Sequence, residues 1–256
     1  MDITSFNREK IESGLAKAAS QQGETPDNIR ILFSPRTITE ENFEEVCDVY
    51  SRLRHNSYDT VVIVESHPGS ADKKLPMPSF KSVETPLGVV KANDKLRNDF
   101  ADEDDDFFIN DEAFDDDVSL YNQLMLLQCA LDDFDILSIQ ITDESSFIVK
   151  ELAFALEEIL ASKNALVVFC CDLDRSHLQE FQKLEAYIEN WNMLTMMNYL
   201  NSRESSVKGI GALVASLILA EKWNLKVHFR ASEDSTGSNQ NLITGFASIE
   251  RQPTYG

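Results

Sequence analysis

The chain alternates between two kinds of segment, and this alternation limits its fold more than any other feature. Short β-branched and apolar runs at 29–33, 60–64, 135–141, 165–171, 226–230 and 243–249 read as strands. Several are apolar on both faces, as strands inside a parallel sheet must be. Helical segments fall between them. The clearest starts at an Asp143-type cap and carries Ile148, Leu152, Ala155, Leu156 and Ile159 on one stripe, with Glu151, Glu157 and Glu158 off it. Another, over 207–223, is largely apolar and predicts a well-buried helix. The pattern predicts an α/β fold: a single domain over 1–256, with a mostly parallel central sheet and helices on both faces. Ligands in such folds bind beyond the carboxyl ends of the strands. His67 and Asp172 both sit just past such ends.

Composition agrees with a soluble globular chain. Its 256 residues are 43% hydrophobic and 26% charged, enough for one large core. No apolar run approaches the length of a bilayer span and the opening MDITSFNREK is polar, so a cytoplasmic location is expected and a membrane is not. A net charge of −21 repels phosphate backbones, which argues against nucleic acid as a partner. Cys47, Cys129, Cys170 and Cys171 form no CxxC pair and are too sparse for a disulfide scaffold. They read as buried thiols. Cys170 and Cys171 are neighbours in a strand, so they point to opposite faces and do not readily chelate one metal together.

Two further segments call for a reading. Over 98–117, NDFADEDDDFFINDEAFDDD, acidic residues alternate with Phe100, Phe107, Phe108 and Phe114. Like charges this dense predict an exposed loop pinned by its phenylalanines. The sharper reading is a cation site or a docking surface for a basic protein partner, although the EF-hand pattern is missing. Lys208-Gly209-Ile210-Gly211 contains GxG but lacks the preceding strand and third glycine of a dinucleotide site, so close helix packing explains it better.

A series of short motifs then runs in one order along nearly the whole chain. Glu84-Thr85-Pro86-Leu87-Gly88-Val89-Val90 is similar to a TPLG hairpin segment, and Ser66-His67-Pro68 to an SHH motif before it. Ser34-Pro35-Arg36 stands in the place of A-P-H-A-G-Y, and Asp117-Val118-Ser119-Leu120 with Gln123-Leu124 in that of E-H-S-I-E-x-Q-L-P. Cys170-Cys171-Asp172-Leu173-Asp174-Arg175 is similar to S-S-D-L-S-H, and Ser205-Ser206-Val207-Lys208-Gly209-Ile210-Gly211 to C-G-x-x-P-I-G. Near the end, Ser232-Glu233-Asp234-Ser235-Thr236-Gly237 and Gly245-Phe246-Ala247 match S-x-D-x-T-G and G-Y-A. Together these resemble the Memo-like family, which includes AmmeMemoRadiSam system protein B and has a fold related to the non-haem iron extradiol dioxygenases.

The resemblance implies a metal or reactive centre built from the histidine of PHAGY, the first histidine of SHH and the cysteine of CGxxPIG, with the histidines of EHS and SSDxxH nearby. Carried over, those positions are Arg36, His67, Ser205, Val118 and Arg175, so His67 alone is retained. A catalytic metal generally needs about three imidazole, thiolate or carboxylate ligands. Arginine has no lone pair to give and repels a cation. The expectation is a catalytically degenerate member with no cofactor, a binding or scaffold protein. In it Arg36, with Arg175, would put a guanidinium where the ion's charge sat and balance Asp172, Asp174 or Glu65. The vestigial pocket of Arg36, His67, Val118, Asp172, Arg175 and Ser205 would suit a small anion. The alternative is a metal-dependent redox or hydrolytic enzyme rearranged around His67, Asp172, Glu65, Asp117 or Cys171.

Overall fold

A computed structural model describes residues 6–23, 26, 28–54, 56–67, 74–114, 119–202, 204–233 and 239–249. The chain begins with α1 (Arg8–Gln21), β1 (Ile29–Ser34), α2 (Phe43–Ser51) and β2 (Thr60–Ser66). Short pieces follow: β3 (Leu75–Met77), β4 (Ser82–Thr85), β5 (Gly88–Lys91), α3 (Asp94–Glu103) and β6 (Phe107–Ile109). The alternation resumes with α4 (Leu120–Ala130), β7 (Asp135–Ile141), α5 (Ser146–Leu160) and β8 (Ala165–Cys170). The remainder comprises α6 (Leu178–Glu189), α7 (Met193–Asn201), α8 (Ile210–Lys222), β9 (Lys226–Phe229), α9 (Arg230–Glu233) and β10 (Gly245–Ser248).

All of the apolar runs read as strands join one sheet, in the order β7-β2-β8-β1-β10-β9. The pairs from β7 to β1 are parallel, while β10 runs antiparallel to both β1 and β9. This is the α/β architecture with a mostly parallel sheet. Strands β2 and β8 are buried along their whole length, which is why they read as continuous apolar runs. At the antiparallel edge, Gly245 lets β10 pass β9: a Cβ there would fall 2.1 Å from the carbonyl oxygen of His228.

The period of two in β2 divides its side chains between two cores. Val62 and Val64 join Leu152 and Leu156 of α5 and Leu213 and Leu217 of α8 on one face. Val61 and Ile63 meet Leu15 of α1, Val46 of α2 and Leu124 of α4 on the other. Burying each such side chain contributes about 1.5–3 kcal/mol, and the two layers together clamp the strand ends that carry the candidate site.

Some details differ from the sequence reading. The α5 cap is Ser145, because the Asp143 carboxylate turns back to accept from the Ser145 backbone N–H at 2.9 Å. Helix α8 starts at Ile210 because Lys208 is held in an antiparallel bridge to Asp172. The acidic stretch is not a loop over 98–114: it completes α3, forms β6 in parallel pairing with β3, and ends in a 3-10 turn at Asp111–Ala113. Phe100 and Phe107 are buried with ring centroids 5.2 Å apart, and this apolar anchoring outweighs the repulsion among the exposed carboxylates. Residues 115–117 of that stretch lie outside the described residues. The predicted hairpin is present as antiparallel β4 and β5, with Thr85 opposite Gly88. Among the described residues, no helix is long and apolar enough to cross a membrane.

Candidate functional site

Three neighbouring parallel strands end at one edge of the sheet. Strand β1 runs out into Pro35 and Arg36, β2 ends at Glu65 and Ser66 before His67, and β8 leads into Cys171 and Asp172. The amino end of α4, at Ser119, lies against the same edge. On β2, Glu65 follows Val61 and Ile63 onto the α4 side, abreast of Gln140 on β7 and Cys170 on β8.

Glu65 is only 3% exposed, and its carboxylate organises the site. Oε1 accepts from Arg36 Nε at 2.8 Å, while Oε2 accepts from the Ser119 backbone N–H at 2.8 Å and the Ser119 hydroxyl at 2.7 Å. Burial pushes this carboxyl up, but the hydrogen bonds from His67, Ser119 and Arg36 outweigh it and hold the group below its usual range. His67 Nε2 lies 3.0 Å from Glu65 Oε1 and 2.9 Å from an Arg36 terminal nitrogen. Arginine only donates, so a bare Nε2 accepts from Arg36 and a protonated Nε2 donates to Glu65. The ring proton selects the partner.

Arg36 is held from behind. Its backbone N–H donates to Asp172 Oδ1 at 3.3 Å, and its carbonyl accepts from Asn122 Nδ2 at 3.1 Å. Gln123 donates to the Pro35 carbonyl at 2.9 Å and in turn accepts from the buried Tyr50 hydroxyl. Asp172 is raised from its usual 3.8 to about 6, chiefly by burial, with the Arg36 bond opposing. Its backbone exchanges two hydrogen bonds of 2.9 Å with Lys208, which ties the site to the start of α8.

The other residues singled out from sequence fall elsewhere. Arg175 is exposed in the 3-10 turn Arg175–His177, and among the described residues no hydrogen bond or ion pair joins it to Glu65, Asp172 or Asp174. Asp174 instead accepts from the Ser176 backbone N–H at 2.9 Å. Ser205 belongs to a separate cluster, with its hydroxyl 2.8 Å from both Glu180 Oε1 and the Tyr199 hydroxyl. Cys171 is fully buried in the core on the α5 and α8 side, and burial pushes its thiol well above the usual value. Val118 and Asp117 lie outside the described residues. Among the described residues, no group of three His, Cys, Asp or Glu side chains is placed to hold a metal ion.

Sequence reasoning missed Ser119, Asn122 and Gln123 as parts of this site. The signal was available, since Ser119 and Gln123 belong to the same short motif that directed attention to Val118.

Comparison with known proteins gives the same picture of the fold. The Memo-like protein family profile matches residues 7–249. A MEMO1 family protein of Thermotoga neapolitana is 29% identical over 178 residues, covering 65% of this chain and 62% of that protein, so the match spans less than two thirds of the relative's length. A MEMO1 family protein of Nitrosopumilus maritimus is 23% identical over 216 residues, covering 80% and 78% of the two chains. The crystal structure of an uncharacterized protein from Escherichia coli K12 superposes with a TM-score of 0.56 at 10% identity, over 87% of this chain and 100% of that one, a likeness in fold alone. With the family pattern running from the first helix to beyond the last strand, the chain belongs to the Memo-like family.

Proposed function

We propose that this chain is a catalytically degenerate member of its family, a binding or scaffold protein in which an arginine has taken over the charge of a metal ion. The observation that carries this reading is the Arg36–Glu65 ion pair at 2.8 Å, at the position where the family resemblance calls for a histidine ligand. The donor set fits a catalytic divalent ion poorly. Glu65 already accepts from Arg36 and Ser119, and a permanently protonated guanidinium 2.9 Å from the retained imidazole would repel a cation brought to that ring. A buried carboxylate needs a counter-charge in any case, and Arg36 supplies one without a metal.

Among ligands, a small anion is the weaker candidate, because Glu65 already neutralises the guanidinium. A protein partner suits the surface better. Asp102, Glu103 and Asp105 stand exposed at the end of α3, and binding there would weaken with salt and with neutralisation of those residues.

Metal analysis tests the reading. Purified protein incubated with iron(II), copper(II) or zinc and then desalted should retain well below stoichiometric metal, with no difference between the native chain and His67→Ala. Stoichiometric metal that disappears in His67→Ala would favour the metal-dependent enzyme rearranged around His67, Asp172 and Cys171, and would overturn the degenerate reading.

A further inference from the structure

A second concave feature lies at the β9 edge of the sheet, and none of its lining residues belongs to the Arg36 site. It is a cleft of about 610 Å³ between the ends of α6 and α8 and strand β9. Leu217, Ala220 and Phe229 are buried in its floor, and Ile188, Trp191 and Leu225 line it as half-buried apolar side chains. Ile249 remains 51% exposed at its margin. Three glutamates also line it: Glu185, Glu189 and Glu221, the last two exposed. Lys226 and His228 also line it, and the three carboxylates outnumber them, so the cleft couples an apolar floor to a net negative rim.

A large, half-covered indole beside aliphatic side chains has the composition of a protein-binding hot spot, and a surrounding polar ring sets which partner is accepted. A cleft of this volume holds a few side chains, which suits a short segment better than a broad flat interface. The sign of the rim decides between occupants. A second copy of this chain brings another net charge of −21 and is repelled at long range. A segment carrying lysine or arginine beside its apolar anchor is attracted and finds carboxylates where its cations fall.

We infer that this cleft is a docking site for a short basic and apolar segment of a second protein: one large apolar side chain would seat on Trp191, and flanking lysines or arginines would face Glu185, Glu189 and Glu221. The inference does not depend on whether the Arg36 site is catalytic.

The test uses the full chain and two short synthetic peptides, one alternating leucine with lysine and one alternating leucine with glutamate, followed by tryptophan fluorescence and calorimetry. The lysine peptide should bind and the glutamate peptide should bind at least about tenfold more weakly, equivalent to about 1.4 kcal/mol. Trp191→Ala should abolish the fluorescence response and weaken binding by about tenfold or more. Because that substitution changes packing, Glu189→Lys at an exposed position is the second variant. It should weaken binding several-fold, whereas Asp133→Lys, which alters net charge equally at an exposed position before β7, the opposite edge of the sheet, should leave affinity within about twofold. Equal weakening by both reversals, or equal binding of both peptides, would reduce the effect to overall charge and overturn the inference. So would sedimentation showing a dimer that Ile249→Asp dissociates, since the occupant would then be a second copy.

Discussion

Arg36 reaches Glu65 across an intervening strand. Arg36 follows β1, Glu65 lies near the end of β2, and β8 runs between those two strands; even so, Arg36 Nε and Glu65 Oε1 are 2.8 Å apart. Neighbouring strands are separated by roughly 4.8 Å, so the contact spans about two such steps. The long arginine side chain closes that gap over the exit of β8 and places its positive charge above the sheet edge where the three strands end.

Replacing Arg36 with methionine keeps most of the length and removes the charge. Glu65 then stays buried with the Ser119 and His67 contacts but without its guanidinium partner. Breaking a buried pair in this way costs about 3–5 kcal/mol, and the low end applies here because the Arg36 side chain is 25% exposed. Urea unfolding of Arg36→Met should show a loss of about 3 kcal/mol. The double variant Arg36→Met/Glu65→Gln should recover most of it, since the stranded charge is gone. A loss below about 1 kcal/mol in the single variant would show that the pair is not organising the site.

Asp172 gives a pH dependence of definite sign. Its folded value of about 6 lies above its usual 3.8, so between these the native state binds more protons than the unfolded chain. Its contribution to stability is therefore present below about 3.8 and falls as pH rises through about 6. Asp172→Asn removes that dependence while keeping an oxygen for the Arg36 backbone N–H. Relative to the native chain, the variant should gain stability as pH rises across this window, by about 3 kcal/mol at most. Unfolding midpoints of both proteins from pH 4 to pH 7 provide the check, and a constant difference would rule the shift out.

Ser119 and Glu65 set the opposite slope. Hydrogen bonds hold Glu65 below its usual 4.5, so its contribution is present above that value and is lost as pH falls through its lower folded value. Ser119→Ala deletes the hydroxyl donor at 2.7 Å and leaves the backbone N–H at 2.8 Å. The expected cost at neutral pH is about 1.5–3 kcal/mol, the range for a hydrogen bond to a charged group. Because Glu65 moves up toward its usual value, acid unfolding of Ser119→Ala should begin at higher pH than in the native chain.

The sequence showed the fold more fully than the site because the two rest on interactions of different range. Strand β7 was read with its observed limits, and β1, β2 and β8 to within two residues at their carboxyl ends, because a strand buried on both faces writes its burial into its own residues. The acidic stretch misled for the converse reason. Phe100 and Phe107 do pin the stretch, as expected, but charge density is local, while the pairing of β6 depends on β3, which lies elsewhere in the chain. At the site, motif order singled out Arg36, His67 and Asp172, and Arg36 contacts both of the others. It could not show that Ser119, 54 residues after Glu65, supplies two hydrogen bonds to that carboxylate, nor that Ser205 turns away to Glu180. Cys170 and Cys171 illustrate both sides: alternation placed them on opposite faces, as observed, but only tertiary packing decides that Cys170 is the one beside Glu65.

Gln140 makes the sharpest stability prediction. It lies abreast of Glu65 on β7, is 1% exposed, and among the described residues neither its amide nitrogen nor its amide oxygen has a hydrogen-bond partner. A buried polar group in this state costs about 1–3 kcal/mol, and replacing it with an apolar side chain of similar shape removes that cost. Methionine is close in length and flexible enough to follow the same path. Gln140→Met should therefore be more stable than the native chain by about 1 kcal/mol or more, which raises the thermal midpoint by about 2–4 °C per kcal/mol in a domain of this size. Glu65 bonds to Arg36, Ser119 and His67 and not to Gln140, so the acid limb of the stability curve should keep its shape. A lower midpoint in Gln140→Met would mean that the amide is hydrogen-bonded in solution, and would overturn this prediction.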